Sequence, residues 1–285
     1  AAATGTVNDP QATWPAPAKL NLMLRITGRR ADGYHELQTV FQFLDLCDEL
    51  RFRVRQDESI SCSGISGLEH EHNLIVRAAR LLQTTAQTRL GAEINVDKNL
   101  PMGGGLGGGS SDAATTLLVL NRLWGSNLEM ARLVELGLQL GADVPVFVYG
   151  QAAWAEGIGE QITPVSLPEP WYLVLTPPVH VSTGEIFCDS RLTRDADRIK
   201  IRDFLTGQHD NHCLPVVRNR YPEVGLALDW LDNYAEARLT GTGACIFAVF
   251  QSRREAESVL NETPAGLTGF VAKGLNQSPL KRLLK

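Results

Sequence analysis

The sequence predicts a two-domain protein of the α+β class. Short segments that alternate apolar and polar residues, as strands do, are interspersed with segments whose apolar residues recur at helical spacing. The 285 residues are 44% hydrophobic and 21% charged, which suits a soluble protein with a substantial core and enough chain for two domains. From about residue 151 onward the chain is richer in proline, glycine and short strand patterns, which indicates a domain boundary.

The first predicted elements are two strands joined by a turn. Residues 18–26 alternate apolar and polar positions, which is typical of a half-buried strand, and residues 40–56 show a similar alternation. The dipeptide Asp32-Gly33 lies between the two segments and is a strong turn signal. These segments therefore predict two strands with a short connection.

Helical and strand patterns follow up to residue 140. Residues 73–83 have apolar residues at helical spacing, and residues 92–96 read as a strand. Residues 111–124 are mostly apolar and predict a buried helix, whereas residues 128–140 predict an amphipathic one.

The second half of the chain is predicted with less regular elements. A break at Asp143-Val144-Pro145 precedes an apolar run at 144–150, which predicts a strand. Further on, helices are predicted at 222–234 and 253–260, and strands at 246–250 and 269–272. We expect a flexible extension at residues 1–13, without the pattern of a secretory signal, followed by domains at 14–155 and 156–285.

Charge and cysteine content exclude several classes of protein. A formal net charge of −5 argues against a general nucleic-acid-binding or acidic-membrane-binding surface, so we expect neither partner. The five cysteines are scattered and form no CxxC pair, so they indicate reduced thiols and a cytoplasmic location. No apolar stretch approaches the roughly 20 residues of a membrane span. The oligomeric state is left open.

A glycine run is the strongest functional signal. Six of the seven residues from Gly103 to Gly109 are glycine, and they lie between a predicted strand and an apolar helix, unlike a polar linker. Bare backbone lets amide N–H groups approach phosphate oxygens, and the N-terminus of the next helix adds positive charge. Ser110 and Ser111 stand where N-cap hydroxyls are expected. The run therefore predicts a phosphate-binding loop, and the absence of a following lysine excludes a Walker A motif.

Four segments in sequence order resemble the GHMP small-molecule kinases. The segment at 101–114, PMGGGLGGGSSDAA, resembles the phosphate-binding motif of that family, with Gly104 where alanine is usual. The segments PAPAKLNLMLRITGRRADGYHEL at 15–37, GADVPVF at 141–147 and LTGTGACIFAVF at 239–250 complete the resemblance. The segments at 15–37 and 141–147 are similar to one branch of the family, whose small-molecule substrate is a cytidine diphosphate-linked methylerythritol.

The resemblance implies a fold and a reaction. The fold would comprise a ribosomal-S5-like N-terminal domain that binds ATP and a ferredoxin-like C-terminal domain that binds substrate, with the active site between them. The reaction would transfer phosphate from ATP to the 2-hydroxyl of the cytidine-linked substrate, in the non-mevalonate route to isoprenoid precursors. Mg²⁺ would accompany ATP, held mostly by phosphates and water, so no metal ligand is named.

The resemblance also implies roles for individual residues. The catalytic pair would be Lys19 and Asp143. The ATP site would comprise Asn73, Lys98, Pro101, Met102, Gly103, Gly104, Gly105, Leu106, Gly107, Gly108, Gly109, Ser110 and Ser111. The substrate site would comprise Asn21, Tyr34, His35, Thr183, Phe187, Gly241, Thr242 and Gly243.

Without the resemblance, plainer interpretations of these residues stay open. Asp143 could be an ordinary turn aspartate, and Lys19 could equally extend from a strand edge into water. Asn73 is a natural helix N-cap, and Lys98 could be an exposed turn residue. The alternative functions are another GHMP kinase, acting on a sugar, a mevalonate-type acid or homoserine, and a catalytically silent nucleotide-binding module. The silent module would need neither Lys19 nor Asp143.

Overall fold

The chain combines one extended sheet system with helices on its surfaces. The computed structural model describes residues 12–65 and 72–284. The strands are β1 (Thr13–Arg29), β2 (His35–Arg55), β3 (Ile60–Ser63), β4 (Gly91–Asp97), β5 (Ala153–Glu156), β6 (Gln161–Pro164), β7 (Trp171–Thr176), β8 (Arg238–Leu239), β9 (Ile246–Phe250) and β10 (Thr268–Leu275). The helices are α1 (Leu74–Ala86), α2 (Gly108–Leu123), α3 (Met130–Leu140), α4 (Val144–Tyr149), α5 (Thr183–Cys188), α6 (Ile201–Leu205), α7 (Leu214–Arg220), α8 (Pro222–Leu231), α9 (Arg253–Leu260) and α10 (Pro279–Leu283).

The long strand β2 organises the sheet. It pairs antiparallel with β1 along most of its length, and its second half also pairs with β4. Strand β10 pairs with β2 at Leu44 and Phe43 and with β7 along its length, so it joins the two halves of the sheet. The main strand order is β3-β4-β2-β10-β7-β9-β8. Strand β3 is parallel to β4.

Three hydrophobic clusters stabilise this arrangement. The first lies in the N-terminal half, where Phe43 of β2 packs with Leu82 of α1 and Leu117 of α2. The second lies in the C-terminal half around β7, β9 and the helices α7 to α9. The third includes Leu44 of β2 and Phe247 of β9, so it joins the two halves. Burial of this much apolar surface is the main favourable term in folding.

The predicted α+β class is confirmed, and most predicted elements coincide with observed ones. The clearest error concerns residues 144–150, which were predicted as a strand and form helix α4. A short, wholly buried apolar run has no periodicity that separates strand from helix. Pro145 lies in the first helical turn, where its missing N–H leaves no intrahelical bond unmade. Asp143 therefore lies in a helix-to-helix turn and not in a helix-to-strand turn.

The first strand also differs from its prediction. β1 begins at Thr13, which the expected extension included, and Trp14 is already buried. The rest of the extension, residues 1–11, lies outside the described residues. β1 is buried on both faces and not on one, because its side chains enter all three clusters, with Trp14 in the first, Leu24 in the second and Leu20 in the third.

The predicted domain boundary falls within a hairpin. Strand β5 pairs with both β2 and β6, so the β5–β6 hairpin packs on the N-terminal half although it crosses residue 155. The division at 155/156 stays a prediction. Among the helices that the structure describes, none is both long and apolar enough to cross a membrane.

Candidate active site

A cavity of about 790 Å³ lies where the glycine loop, β1, the turn before α4 and helix α5 meet. Lys19 and Asp143 line it near the glycine loop, and Tyr34 and Phe187 also line it. Most predicted site residues are therefore brought together, although they are far apart in the sequence. Ser111 and Gly243 are the two that are not among the described lining residues.

The glycine loop ends at the N-terminus of α2, but its cap differs from the prediction. The helix begins at Gly108, and its N-cap is Gly107, with φ 74° and no side-chain capping bond. Ser110 and Ser111 are inside the first turn, so neither serine is the N-cap. Ser111 is fully buried, whereas Ser110 lines the cavity. The first amides of a helix have no intrahelical acceptor, so this end of α2 can bind an anion.

A left-handed glycine at the cap is explained by close packing. A Cβ on Gly107 would lie 2.8 Å from Cζ of Phe147 and 3.1 Å from Cε of Lys19. Any other residue would displace the phenyl ring or the lysine, besides adopting an unfavourable positive φ.

A second glycine-containing loop packs directly on the first. The N–H of Cys245 donates to the carbonyl oxygen of Gly104 at 3.1 Å. A Cβ on Gly105 would lie only 2.5 Å from the carbonyl oxygen of Thr240. Gly241 and Thr242 of this loop line the cavity. Gly243 instead faces Leu239, whose Cδ1 would be 2.9 Å from an added Cβ, so its predicted substrate contact receives no support.

Lys19 and Asp143 form an ion pair beside the glycine loop. Nζ of Lys19 lies 3.2 Å from Oδ2 of Asp143 and donates to the carbonyl oxygen of Gly105 at 2.9 Å. The Lys19 side chain is 3% exposed and that of Asp143 is 36% exposed. The lysine is therefore a buried cation, and the carboxylate is open to the cavity. Such a pair can accept a proton at Asp143 while positive charge stays beside it.

Strand β1 is irregular on both sides of Lys19 and Asn21, which both line the cavity. The pairing of β1 with β2 shifts register between Pro17 and Lys19 and again between Asn21 and Met23. Irregularities of this kind change the direction in which nearby side chains project. Asn21 also lines the cavity, and its Nδ2 donates to Oγ1 of Thr39 at 2.9 Å, whereas its predicted substrate contact stays a prediction.

The second glycine-containing loop, which includes Thr240, also contacts β1. The N–H of Asn21 donates to Oγ1 of Thr240 at 2.9 Å. Thr39 and Thr240 were not predicted. Nothing in their local sequence signals a contact with β1.

A buried charge cluster lies at the other side of the glycine loop. Lys98 donates to Asp48 and, at 2.8 Å, to Asp112 of α2. Asp48 also accepts from the N–H groups of Asn99 and Leu100 at 2.6 and 2.8 Å. Lys98 is thus a paired, largely buried cation and not an exposed turn residue. Burial lowers the pKa of Lys98, but the charges and hydrogen bonds of Asp112 and Asp48 together outweigh it, so the pKa is raised above its ordinary value.

The two aspartates of this cluster were missed by the sequence reasoning. A signal did exist for Asp112, because a charge within the apolar pattern of 111–124 requires a partner. Asn73 lies at the same end of the cavity and caps α1, with its Oδ1 accepting from the N–H of Ile75 at 2.9 Å. The N-cap interpretation of Asn73 is confirmed, and its predicted contact with ATP stays a prediction.

We expect Asp112 to make stability depend on pH. Burial raises the pKa of Asp112 to about 7. The positive charge of Lys98 lowers this pKa, whereas the negative charge of Asp48 raises it. Between its ordinary pKa and this value the folded protein holds a proton that the unfolded chain releases. The unfolding free energy therefore falls as pH rises through this range. Relative to Asp112→Asn, we expect the parent to lose about 2–3 kcal/mol between pH 5 and pH 8.

Urea unfolding of both proteins at the two pH values measures this difference. Asp97→Asn is the matched control, because Asp97 pairs with Arg51 at the surface and is 51% exposed. A parent-to-variant difference that is constant with pH would contradict the assigned titration.

An aromatic group lines the cavity beyond the Lys19–Asp143 pair. The rings of His35 and Phe187 lie 5.0 Å apart at an angle of 34°, and Tyr34, directly before His35, is 58% exposed. Thr183, at the start of α5, shares a hydrogen bond of 2.9 Å with Thr242. These side chains offer flat apolar surface and polar groups together, which is what a nucleotide base requires.

The fold and the site together define a small-molecule kinase with a glycine-rich phosphate loop. Comparison with known families agrees. The profile described as GHMP kinases N terminal domain matches residues 73–151, and the profile described as GHMP kinases C terminal matches residues 193–267. The chain belongs to the GHMP kinase family.

Individual relatives are similar over nearly the whole chain. A protein of Ectopseudomonas mendocina named 4-diphosphocytidyl-2-C-methyl-D-erythritol kinase is 60% identical over 272 residues, covering 95% of this chain and 94% of the relative. A protein of Methylococcus capsulatus with the same name is 55% identical over 283 residues, covering 99% and 97%. A crystal structure of 4-(cytidine 5'-diphospho)-2C-methyl-D-erythritol kinase superposes with a TM-score of 0.81 at 29% identity, covering 92% of this chain and 98% of that one.

Proposed function

We propose that this protein transfers the γ-phosphoryl group of ATP to the 2-hydroxyl of 4-diphosphocytidyl-2-C-methyl-D-erythritol, giving the 2-phosphate and ADP. The observation that carries the proposal is that one cavity holds the glycine loop, the Lys19–Asp143 pair and the aromatic group of Tyr34, His35 and Phe187. The names of the relatives support the same substrate. This activity belongs to the non-mevalonate route to isoprenoid precursors, and we place it in the cytoplasm.

These residues support a direct transfer from ATP to the acceptor hydroxyl. Asp143 accepts the proton of the substrate's 2-hydroxyl while that hydroxyl oxygen forms a bond to the γ-phosphorus. The bond between the γ-phosphorus and the β–γ bridging oxygen breaks, and ADP is released. Lys19 holds the Asp143 carboxylate through their ion pair and offsets negative charge on the transferring group. The amides at the start of α2 bind the phosphates of ATP and so position the γ-phosphoryl group for transfer.

The cavity also fits Mg²⁺ brought in by the nucleotide. Within residues 12–65 and 72–284 there is no group of three or more His, Cys, Asp or Glu side chains that would hold a metal alone. An oxygen ligand is nevertheless present, because Ser110 lines the cavity in the first turn of α2. Ser110 would hold the ion together with phosphates and water, where it would neutralise charge on the β- and γ-phosphates.

The competing functions make different predictions. Another GHMP kinase, acting on a sugar, a mevalonate-type acid or homoserine, has no use for an aromatic group that accepts a base. A silent nucleotide-binding module has no use for a buried lysine paired with a cavity-facing carboxylate. The presence of both features favours the cytidine-linked substrate.

A substrate panel tests the proposal. The protein is incubated with ATP, Mg²⁺ and, in separate reactions, the cytidine-linked methylerythritol, mevalonate, galactose and homoserine, and ADP release is followed. Turnover with the first compound alone is expected. Equal turnover with any of the other three would refute the assignment, and no turnover with any acceptor would favour the silent module.

We expect the aromatic group to act on substrate binding. Tyr34→Ala and Phe187→Ala should each raise KM for the cytidine-linked substrate by about 5- to 150-fold, since stacking on a base contributes about 1–3 kcal/mol. KM for ATP should change little. Tyr234→Ala is the control, because Tyr234 stacks on Trp230 and is not among the described lining residues. A change in the ATP dependence alone would show that the base binds elsewhere.

A further inference from the structure

Arg194 holds the aromatic group from outside the cavity. Its guanidinium donates to the carbonyl oxygens of Leu192, Phe187 and Asp189 at 3.0, 2.9 and 2.8 Å, and its Nε donates to Nε2 of His35 at 3.2 Å. The three carbonyl contacts fix the plane of the guanidinium. Arg194 is not among the lining residues that the structure describes, whereas His35 is. Arg194 therefore acts on a bound ligand mainly through the residues it holds.

The contact with Arg194 determines where His35 carries its proton. A guanidinium has only donors, so Nε2 of His35 must be the acceptor, and a neutral imidazole then carries its proton on Nδ1. Burial lowers the pKa of His35, and the positive charges of Arg194 and Arg29 lower it further, so the neutral ring is favoured at neutral pH. His35 thus has one ring donor, Nδ1–H, and its one acceptor nitrogen is already used.

A fixed donor distinguishes the two common pyrimidines. Ring nitrogen N3 of cytosine is an acceptor, whereas N3 of uracil carries a hydrogen. A donor at Nδ1 pairs with cytosine N3 and opposes the N3–H of uracil, which would leave two donors facing each other. Sites built around a particular hydrogen bond reject a ligand that cannot make it far more strongly than apolar pockets do.

We propose that Arg194 is a positioning residue that fixes His35 as a hydrogen-bond donor and so makes the cavity select cytosine over uracil. The proposal rests on the proposed function, because it concerns the base of the same substrate. It goes beyond that function in assigning base selectivity to a residue 159 positions away from His35 that is not among the described lining residues of the cavity.

Kinetics with a matched pair of substrates tests the proposal. The parent and Arg194→Met are each assayed with the cytidine-linked substrate and with its uridine counterpart. The parent should prefer cytidine by about 10²-fold or more in kcat/KM. In Arg194→Met this preference should fall at least tenfold, mainly through KM, with kcat for the cytidine substrate within about threefold of the parent.

Arg191→Met is the matched control. Arg191 holds the same segment through Asp189 and Asn219, yet no described contact joins it to His35. Its base preference should equal that of the parent. If Arg194→Met weakens both substrates by the same factor, or if Arg191→Met loses as much preference, the role of Arg194 is structural only and the proposal is wrong.

The tautomer of His35 can be measured directly in the parent by NMR. In the ¹⁵N-labelled parent at pH 7.5, the imidazole nitrogen shifts of His35 should show Nδ1 protonated and Nε2 unprotonated, and Arg194→Met should show a mixture of tautomers. A parent protonated on Nε2, or on both nitrogens, would overturn the proposal. Failure of the parent to turn over the cytidine substrate would instead refute the proposed function, and the two failures are thereby distinguished.

Discussion

Asp143→Asn is expected to lower kcat by about 10²–10⁴, the range that a positioned general base contributes. Asparagine has nearly the shape of aspartate but cannot accept the hydroxyl proton at neutral pH. Asp143 pairs with the buried Lys19, and its own side chain is 36% exposed, so its carboxylate is open to the cavity. Because the amides of the glycine loop are unchanged, ATP affinity should stay within a few-fold of the parent.

Two measurements separate this loss from a loss of structure. ATP affinity by calorimetry and the urea midpoint should both match those of the exposed control Asp97→Asn. Near-normal turnover in Asp143→Asn would remove Asp143 as the base. A parallel loss of ATP binding would show that the residue serves the nucleotide and not the acceptor.

Lys19→Met is expected to lower kcat by about 10²–10³, which is typical for loss of a group that stabilises charge in the transition state. Methionine fills similar space in the buried position, but it leaves Asp143 and the carbonyl oxygen of Gly105 without their partner. Lys19→Arg should not restore activity. Nζ of Lys19 contacts Oδ2 of Asp143 at 3.2 Å and the carbonyl oxygen of Gly105 at 2.9 Å in a buried position, and a longer, planar guanidinium would not reproduce both contacts.

The double variant Lys19→Met/Asp143→Asn tests whether the pair works as a unit. If it does, the double variant should be little slower than the worse single variant, because each single change already disables the same step. Fully multiplicative losses in kcat would show that the two residues act independently. That result would contradict a shared role.

The sequence predicted features that depend on local chemistry. Asn73 was recognised as a helix N-cap, and the structure confirms the bond from its Oδ1 to the amide of Ile75. The glycine run was recognised as a loop before a helix because linkers are not flanked by apolar elements. The strand prediction for 144–150 was wrong because a short buried run lacks a diagnostic period, and only tertiary packing selects the helix.

Residues that act across long sequence separations could not be predicted in the same way. The bond from Asn21 to Thr240 spans 219 positions, and the bond from Arg194 to His35 spans 159. Neither has a local pattern. The pairing of Lys19 with Asp143 was expected only from the resemblance to known kinases, since from the residues alone Lys19 could equally have reached solvent. The structure buries it, and a buried cation requires a partner.

The site chosen for phosphorylation tests the central claim most directly. After incubation with ATP and Mg²⁺, the product of the cytidine-linked substrate is examined by ³¹P NMR and two-dimensional phosphorus–carbon correlation. We predict one new phosphomonoester on the 2-position of the methylerythritol, with the diphosphate link to cytidine intact. Phosphate on any other oxygen, or cleavage of that link, would contradict the placement of the acceptor hydroxyl at Asp143.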